Sequence, residues 1–330
     1  MGAGKNKLEE LLESSGGCAV LDGGLATQLE HCGADLNDPL WSALCLITRP
    51  QLIQKVHWDY LEAGADILVS SSYQATVQGF VSKGLSEKEG EEMLKKSVAI
   101  ACQVRDKFWD KVKQNNSSGE IRYNRALVAA SIGSYGAYLA DGSEYSGQYG
   151  PEMMNVAKLK GFHRRRLQIL ASSGADLLAI ETIPCQVEAQ ALVELLEEED
   201  IQIPSWISFN SKDGANVVSG DPLSECVALA AKSAKVAAVG INCTPPRFIH
   251  GLVSTARKVT DKPIVVYPNS GETFDPDAKQ WIPATGVSDV DFVSYVGEWK
   301  KAGASLIGGC CRTTPATIRA IKKSLQVSLI

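Results

Sequence analysis

One pattern recurs three times in this sequence and restricts the folds that the chain can adopt. The segments LEAGADILVSSS (61–72), ASSGADLLAIET (171–182) and KKAGASLIGGCC (300–311) each run from a helix-like end through Gly-Ala into a β-rich apolar stretch. Glycine is a common stop just after a helix, because it adopts left-handed backbone angles at little cost. Short, continuous apolar runs are typical of strands buried on both faces, as in parallel sheets. The pattern therefore predicts repeated helix-to-strand units of an α/β protein.

Further copies of this plan give eight candidate strands, with amphipathic stretches between them. The candidate strands span residues 18–24, 66–72, 126–132, 177–182, 205–210, 236–243, 263–269 and 305–311. Eight such units over roughly 310 residues fit a (β/α)8 TIM barrel. A doubly wound sheet would usually have fewer strands and a glycine-rich phosphate loop, and LDGGLATQL (21–29) is not a GxGxxG motif. We predict a single barrel domain over residues 1–330, with its core at about 18–325 and a helical extension at 1–17.

Composition argues against several classes of partner. The chain has 330 residues, a net charge of −5 and no long block of Lys and Arg, which argues against nucleic acid. The basic cluster Arg164–Arg166 lies in a helical pattern and is predicted to be a solvated helix face. No apolar run approaches membrane-spanning length, and the N-terminus lacks an apolar signal core. We therefore expect a cytoplasmic protein without a membrane partner, in which the nine cysteines are reduced. The sequence leaves the oligomeric state open.

The polar residues that end the predicted strands define a candidate site. Barrel enzymes carry their active sites at the carboxyl ends of the strands and in the loops that follow. These residues are therefore expected to converge on one mouth of the barrel. The set comprises Asp22, Ser70–Ser72, Glu181, Asn210, Asn242, Cys243, Asn269, Cys310 and Cys311.

Three of these residues are cysteines, and they suggest a metal site. Cys243 ends the sixth strand, and Cys310 and Cys311 end the eighth. Three thiolates can hold Zn²⁺ and leave a fourth position for substrate. Adjacent residues on a regular strand point to opposite faces, so Gly308 and Gly309 would have to bend the strand end for both sulfur atoms to reach one ion. Burial as small apolar groups and a vicinal redox pair remain alternatives; Cys18, Cys45, Cys102, Cys185 and Cys226 are interpreted as buried.

The charge of such a centre indicates its chemistry. A zinc ion held by three thiolates carries surplus negative charge, so it is a poor Lewis acid for hydrolysis. It suits the binding of an incoming thiol, whose pKa it lowers while the sulfur stays nucleophilic. None of the four histidines ends a predicted strand, which disfavours a histidine-rich catalytic zinc site.

Two carboxylates and two long loops complete the candidate site. Asp22 and Glu181 end the first and fourth strands, where they can act as acid and base or bind a ligand ammonium; capping of the next helix is the structural alternative. The loops GSYGAYLADGSEYSGQYG (133–150) and SGETFDPDAKQWIPATG (270–286) follow strands three and seven. Each is either a lid or a plain surface loop, and the tyrosine-rich first loop offers rings that can receive a sulfonium cation.

Several motifs together resemble one known family, the homocysteine S-methyltransferases. The motifs run in order from about residue 18 to about residue 325 and are LDGGLATQL, SSYQAT, IGSYGAYLADGSEYSG, AIETIP, GINCTPP, VVYPNSGE and GGCCRTTP. The motif DGG alone is weak evidence for this resemblance, whereas GINC followed by GGCC is specific for the family. The likeness is greatest to the stand-alone plant-type enzymes that use S-methylmethionine.

The resemblance implies a (β/α)8 barrel with catalytic zinc on Cys243, Cys310 and Cys311. It also implies that Asp22 and Glu181 hold the amino group of homocysteine. Homocysteine would enter as the fourth zinc ligand, and its sulfur would attack the methyl group of S-methylmethionine, or of S-adenosylmethionine, to give methionine. We expect further substrate contacts from residues of the same motifs, namely Gly23, Gly24, Thr27, Ser71, Asn242 and Asn269.

Three other functions compete with this interpretation. Selenocysteine methyltransferases share most of these motifs, so the acceptor stays open. A zinc-binding or redox-sensing barrel without catalysis would not need the two carboxylates. A lyase or aldolase would need a lysine at a strand end, and none of the eight runs ends in one. The sequence RTTP after the vicinal cysteines disfavours betaine as the donor, and 330 residues leave no room for folate and cobalamin modules.

Overall fold

The fold is described from a computed structural model that covers residues 4–115, 124–275, 280–282 and 286–327. Eight of its strands form one parallel sheet in the order β1-β10-β7-β6-β5-β4-β3-β2. These strands are β1 (Ala19–Val20), β2 (Ile67–Val69), β3 (Leu127–Gly133), β4 (Leu177–Ile183), β5 (Ser205–Phe209), β6 (Val236–Asn242), β7 (Ile264–Tyr267) and β10 (Ala304–Ile307). A parallel bridge between Leu21 and Ile67 joins β1 to β2 and completes the circle. The predicted (β/α)8 barrel is confirmed.

At least one helix separates each strand of the barrel from the next, and β8 (Thr273–Asp275) pairs with β9 (Gln280–Ile282) in an antiparallel hairpin after β7. The helices are α1 (Lys7–Ser14), α2 (Leu25–His31), α3 (Leu44–Thr48), α4 (Pro50–Ala63), α5 (Val77–Val81), α6 (Glu87–Asn115), α7 (Tyr135–Leu139), α8 (Val156–Ala171), α9 (Gln186–Glu198), α10 (Leu223–Ala231), α11 (Pro246–Arg257), α12 (Asp289–Ser294), α13 (Val296–Ala302) and α14 (Pro315–Val327). Two short 3-10 helices lie at Trp41–Ala43 and Ser143–Tyr145.

The repeated Gly-Ala motif has a structural explanation at the amino ends of the strands. Gly64 follows α4 and Gly303 follows α13 with left-handed φ angles of +100° and +115°, as predicted. The aspartates of two copies then tie neighbouring strands together. Asp66 accepts a hydrogen bond from the backbone N–H of Val20 in β1, and Asp176 accepts one from Val128 in β3. The repeat thus encodes both the helix stop and the start of the strand pairing.

Helix α1 closes the floor of the barrel. Asn6 and Glu9 form a capping box that begins the helix, and its buried face carries Leu8, Leu11 and Leu12. These leucines pack in one apolar cluster with alternate, inward-facing strand residues such as Trp206. The predicted N-terminal extension is therefore helical, and it plugs the end of the barrel opposite the candidate site.

Candidate active site

Three cysteine sulfur atoms meet at the carboxyl ends of β6 and β10. The Sγ atom of Cys243 lies 3.1 Å from that of Cys310 and 3.6 Å from that of Cys311, and the last two are 3.9 Å apart. Cys243 follows β6 directly and has a left-handed φ of +48°, a costly conformation for a non-glycine residue that is typical of functional sites. The three predicted cysteines therefore form one cluster.

The two glycines before the vicinal cysteines follow the last residue of β10, and close packing gives a further reason for the first of them. Strand β10 ends at Ile307, so Cys310 and Cys311 lie in the turn beyond it, where the alternation of a strand no longer applies. Gly308 is required by close packing, because a Cβ atom there would lie 2.6 Å from Cβ of Leu21 and 2.8 Å from the carbonyl oxygen of Asp22. Gly308 thus lets the chain after β10 lie directly against the end of β1.

The cluster has the chemistry and spacing of a metal site. Sulfur atoms at about 2.3 Å from a tetrahedral zinc ion would lie about 3.8 Å apart, close to the separations of 3.6 and 3.9 Å found here and longer than the 3.1 Å between Cys243 and Cys310. Hydrogen bonds from the thiols of Cys243 and Cys310 hold the pKa of Cys311 well below its usual range. Three thiols this close together cannot all ionise to thiolates without a cation between them. Within the described ranges, no other group of three cysteine, histidine or acidic side chains brings its ligand atoms as close together.

Asp22 and Glu181 both lie buried at the barrel mouth, as predicted. Asp22 accepts a hydrogen bond of 2.8 Å from the backbone N–H of Val69, and Glu181 accepts one from the hydroxyl of Ser131. Burial raises the pKa of Asp22 well above its usual range, and the charge of Glu181 adds to this effect. Burial also raises the pKa of Glu181 to about 7. Neither carboxyl group forms an ion pair with a described residue, so both are placed to receive a positively charged group.

A chain of polar side chains inside the barrel supports Glu181, and our sequence analysis missed it. Tyr267 hydrogen-bonds to Glu181, and its hydroxyl lies 2.7 Å from the hydroxyl of Ser208 and 3.0 Å from Nε1 of Trp206. The signal in the sequence was the presence of Ser131 and Ser208 inside otherwise apolar strands. Serine hydroxyls at inward-facing positions can only be satisfied by such a network.

The predicted residues Gly23, Gly24 and Thr27 support the cysteine turn. A Cβ atom on Gly24 would lie 2.6 Å from the carbonyl oxygen of Cys310, and one on Gly23 would lie 2.9 Å from the ring of Tyr60. The hydroxyl of Thr27 accepts a hydrogen bond from the backbone N–H of Arg312. The motifs LDGG and GGCC are therefore explained by their close contact with each other. Direct substrate contacts from these three residues stay a prediction.

The remaining predicted residues differ in how much hydrogen-bonding capacity they have left. The side chain of Asn242 is engaged with Thr182 and Ser208. Asn269 accepts a hydrogen bond from the backbone of Gly271. Ser71 is buried, and its hydroxyl has no hydrogen-bond partner among the described residues. Ser71 therefore has a buried hydroxyl that no described residue engages and that is free to meet a ligand.

The tyrosine-rich loop after β3 reaches the cysteine cluster. Its short 3-10 helix places the hydroxyl of Tyr145 3.8 Å from Sγ of Cys243, while the residue as a whole remains 38% exposed at the mouth. The neighbouring Glu144 carries a largely buried carboxyl group, and burial raises its pKa to about 7. Sequence analysis singled out the loop but not Glu144.

A buried ionic network holds this loop in place. Glu188 in α9 accepts hydrogen bonds from the hydroxyl of Tyr149 and the backbone N–H of Tyr135, each at 2.6 Å, and its carboxylate lies 2.8 Å from His163. Arg166 hydrogen-bonds to His163 and to the carbonyl of Gly133. The prediction that Arg164–Arg166 forms a solvated helix face is wrong for Arg166, which is only 3% exposed. Its guanidinium turns inward to bind the end of β3.

The loop after β7 is described in part. Residues 276–279 and 283–285 of the predicted lid lie outside the described ranges. In the described part, Glu272 forms an ion pair of 2.5 Å with Arg312, the residue that follows the vicinal cysteines and has a φ of +65°. The loop after β7 is thus tied to the cysteine turn by this ion pair and by a hydrogen bond of 3.0 Å from the backbone N–H of Ser270 to the carbonyl oxygen of Cys311.

Comparison with known proteins decides the family. The family model for homocysteine S-methyltransferase matches residues 19–325, which covers every strand of the barrel. The chain belongs to this family. Members of the homocysteine S-methyltransferase family among curated proteins are similar over nearly the whole length. Homocysteine S-methyltransferase 2 of Arabidopsis thaliana is 63% identical over 322 residues, which are 97% of this chain and 96% of that protein.

Two further relatives are relevant to the identity of the methyl acceptor and to metal binding. Selenocysteine Se-methyltransferase of Brassica oleracea var. italica is 62% identical, over 96% of this chain and 92% of that protein. The metallated form of the homocysteine methyltransferase MmuM from Escherichia coli is 40% identical, with a TM-score of 0.81 over 96% of this chain and 99% of that one. The chain described here is accordingly a methyltransferase, and its three-cysteine cluster is able to bind a metal ion. Within the described ranges, every helix is too short or too polar to cross a lipid bilayer.

Proposed function

We propose that this methyltransferase is a zinc enzyme that moves a methyl group from S-methylmethionine to the thiol of L-homocysteine. The observation that carries the proposal is the cluster of three sulfur atoms within 3.9 Å of one another, beside two buried carboxylates. Cys243, Cys310 and Cys311 would hold the zinc ion. When bound, zinc supplies a positive centre that lowers the pKa of the acceptor thiol at neutral pH.

The carboxylates position the acceptor. We assign the amino group of homocysteine to Asp22 and Glu181, since an ammonium group compensates the cost of ionising both carboxyls in a buried site. The Ser131 and Tyr267 hydroxyls that bind Glu181 fix its orientation. Ser71, with its free buried hydroxyl, is assigned to the acceptor as well. We assign supporting roles to Gly23, Gly24, Thr27, Asn242 and Asn269.

The transfer itself needs alignment more than further activation. The acceptor sulfur attacks the methyl carbon in line with the bond to the donor sulfur. That bond breaks, its electron pair stays on the donor sulfur, and the thiol proton is released to solvent. The donor sulfonium is already a good leaving group, so the protein contributes mainly by holding the two substrates in register. We further propose a single barrel domain acting in the cytoplasm, where reducing conditions keep the cysteine ligands as thiols.

A donor and acceptor panel tests this proposal. Purified, zinc-loaded protein is incubated with L-homocysteine or L-selenocysteine as acceptor, and with S-methylmethionine, S-adenosylmethionine or betaine as donor. We expect methionine to form fastest from homocysteine and S-methylmethionine, and no product from betaine.

Two results of this panel would change the account. The similarity to a selenocysteine Se-methyltransferase makes selenocysteine the second candidate acceptor. A higher kcat/KM with selenocysteine would shift the proposal to that acceptor. Full transfer by protein stripped of metal would overturn the zinc mechanism.

A further inference from the structure

We propose that Glu144 and Asn210 form a binding subsite for the ammonium group of the methyl donor, separate from the carboxylates that take the acceptor. This inference rests on the proposed function, since it names the part of the site that recognises the donor. Its ligand class is a sulfonium that carries a primary ammonium group, as amino-acid sulfonium compounds do.

The position of Glu144 is fixed by its surroundings. It lies in the short 3-10 helix Ser143–Tyr145, whose neighbour Tyr145 touches the cysteine cluster. Its backbone carbonyl accepts a hydrogen bond of 2.7 Å from Nδ2 of Asn210, beyond the end of β5. Gly136 packs so closely that a Cβ atom there would lie 2.8 Å from the carbonyl carbon of Ser143. These contacts hold Glu144 beside Asn210.

Both residues present an acceptor atom that lacks a donor. Oε2 of Glu144 and Oδ1 of Asn210 are each shielded from solvent, and neither has a hydrogen-bond partner among the described residues. Asn210 is itself only 1% exposed. A buried carboxylate oxygen and a buried amide oxygen without donors are costly to maintain. Two unpaired acceptors, one of them able to carry negative charge, call for a ligand that is both cationic and a hydrogen-bond donor.

These requirements select an ammonium group over the sulfonium itself. A sulfonium centre is positive but has no N–H or O–H to donate, whereas a primary ammonium has three N–H donors. The acceptor's ammonium already has two carboxylates assigned to it, Asp22 and Glu181. Glu144 instead lies on the loop after β3, next to the residue that contacts Cys243. A donor bound through Glu144 would therefore approach the cluster from this loop.

Glu144 is not needed to explain the metal site. The group of side chains whose ligand atoms lie within 4.8 Å of one another comprises the three cysteines and does not include Glu144. Burial raises the pKa of Glu144 to about 7, so the carboxyl group is costly to ionise without a cationic ligand. A cationic ligand would offset the cost of holding this carboxylate ionised in a buried site.

Equilibrium binding tests the subsite. S-methylmethionine and its deaminated analogue, 4-(dimethylsulfonio)butanoate, are titrated calorimetrically into zinc-loaded wild-type protein and into Glu144→Gln. We expect Glu144→Gln to weaken S-methylmethionine binding about tenfold to a hundredfold, which is typical for loss of a charge-assisted hydrogen bond. The affinity of the deaminated analogue should stay the same in both proteins, as should zinc content and homocysteine affinity. Glu152→Gln removes an exposed carboxylate two residues after the same loop and should change neither ligand's affinity.

Several results would overturn the subsite. Unchanged binding of S-methylmethionine to Glu144→Gln would do so, and so would an equal loss for both ligands or a loss of homocysteine affinity. These outcomes are distinct from failure of the proposed function. If no donor methylates homocysteine but Glu144→Gln still weakens S-methylmethionine selectively, the subsite stands and the reaction assignment fails.

Discussion

Cys311→Ser is expected to remove bound zinc and methyl transfer together. A serine hydroxyl is not ionised at neutral pH and is a weaker zinc ligand than the thiolate it replaces. Mutation of a residue that hydrogen-bonds to a metal ligand typically lowers metal affinity tenfold to about a hundredfold. Loss of a direct ligand should therefore lower the affinity for zinc at least about a hundredfold. Metal analysis after gel filtration should find well under one zinc per chain, and methionine formation should fall to background. Cys243→Ser and Cys310→Ser should behave in the same way.

Cys102→Ser is the matched control for this series. Cys102 is half-buried on α6, and its thiol lies 3.7 Å from the carbonyl oxygen of Gly174, far in sequence from the cluster. The variant should keep both zinc and activity. A Cys311→Ser protein with one zinc per chain and normal turnover would show that the cluster is not the metal centre.

Glu181→Gln is expected to weaken homocysteine binding and, at the same time, to stabilise the folded protein above pH 7. The amide is nearly the same size as the carboxyl group and can still accept the hydrogen bond from Ser131, but it brings no negative charge to an ammonium group. Loss of a charge-assisted contact should raise the dissociation constant for homocysteine by about tenfold to a hundredfold. Calorimetric titration of wild type and variant measures this loss.

The effect on stability follows from the raised pKa of Glu181. Burial raises this pKa from 4.5 to about 7, so the folded state binds the proton more tightly than the unfolded state does. The stabilising contribution is fully present below pH 4.5 and is lost as the pH rises through about 7. At about 1.4 kcal/mol per pH unit, ionised Glu181 costs up to about 3 kcal/mol above that range.

Urea unfolding of the metal-free, reduced proteins tests this relation. The free energies of unfolding of wild type and Glu181→Gln should agree near pH 4.5 and diverge in favour of the variant towards pH 8. A variant that is less stable than wild type at pH 8 would mean that the Glu181 charge is already compensated within the protein. The expected combination of tighter folding and weaker binding is typical of functional groups held in unfavourable surroundings.

Most of the barrel and half of the site could be predicted from the sequence because both rest on local patterns. The Gly-Ala repeat marks helix ends and strand starts, and the left-handed angles at Gly64 and Gly303 are the local feature that it encodes. Cys243, Cys310 and Cys311 were found because the ends of parallel strands meet at one edge, whichever strands they follow. To apply that rule, one needs to know the strand positions only to within a few residues. No knowledge of side-chain contacts is required.

The rest of the site depends on contacts between distant segments. In the sequence, Arg166 resembles any basic residue on a helix surface. In the structure it is buried, and its guanidinium hydrogen-bonds to Gly133 and His163. Glu144 gains its significance from the burial of one carboxylate oxygen and from the hydrogen bond that its backbone carbonyl accepts from Asn210. The close packing of Gly308 was not predicted for the same reason, since the close approach of β1 to the cysteine turn is a tertiary contact. Single-sequence patterns carry no signal for these contacts.

The central claim is that the acceptor's sulfur joins three cysteine sulfurs at one zinc ion, and zinc K-edge X-ray absorption tests it directly. Zinc-loaded protein is measured with and without saturating L-homocysteine, and the sulfur shell at about 2.3 Å is counted. We expect three sulfur ligands in the free enzyme and four with homocysteine bound. A free enzyme with fewer than three sulfur ligands, or a shell that homocysteine leaves unchanged, would contradict the account.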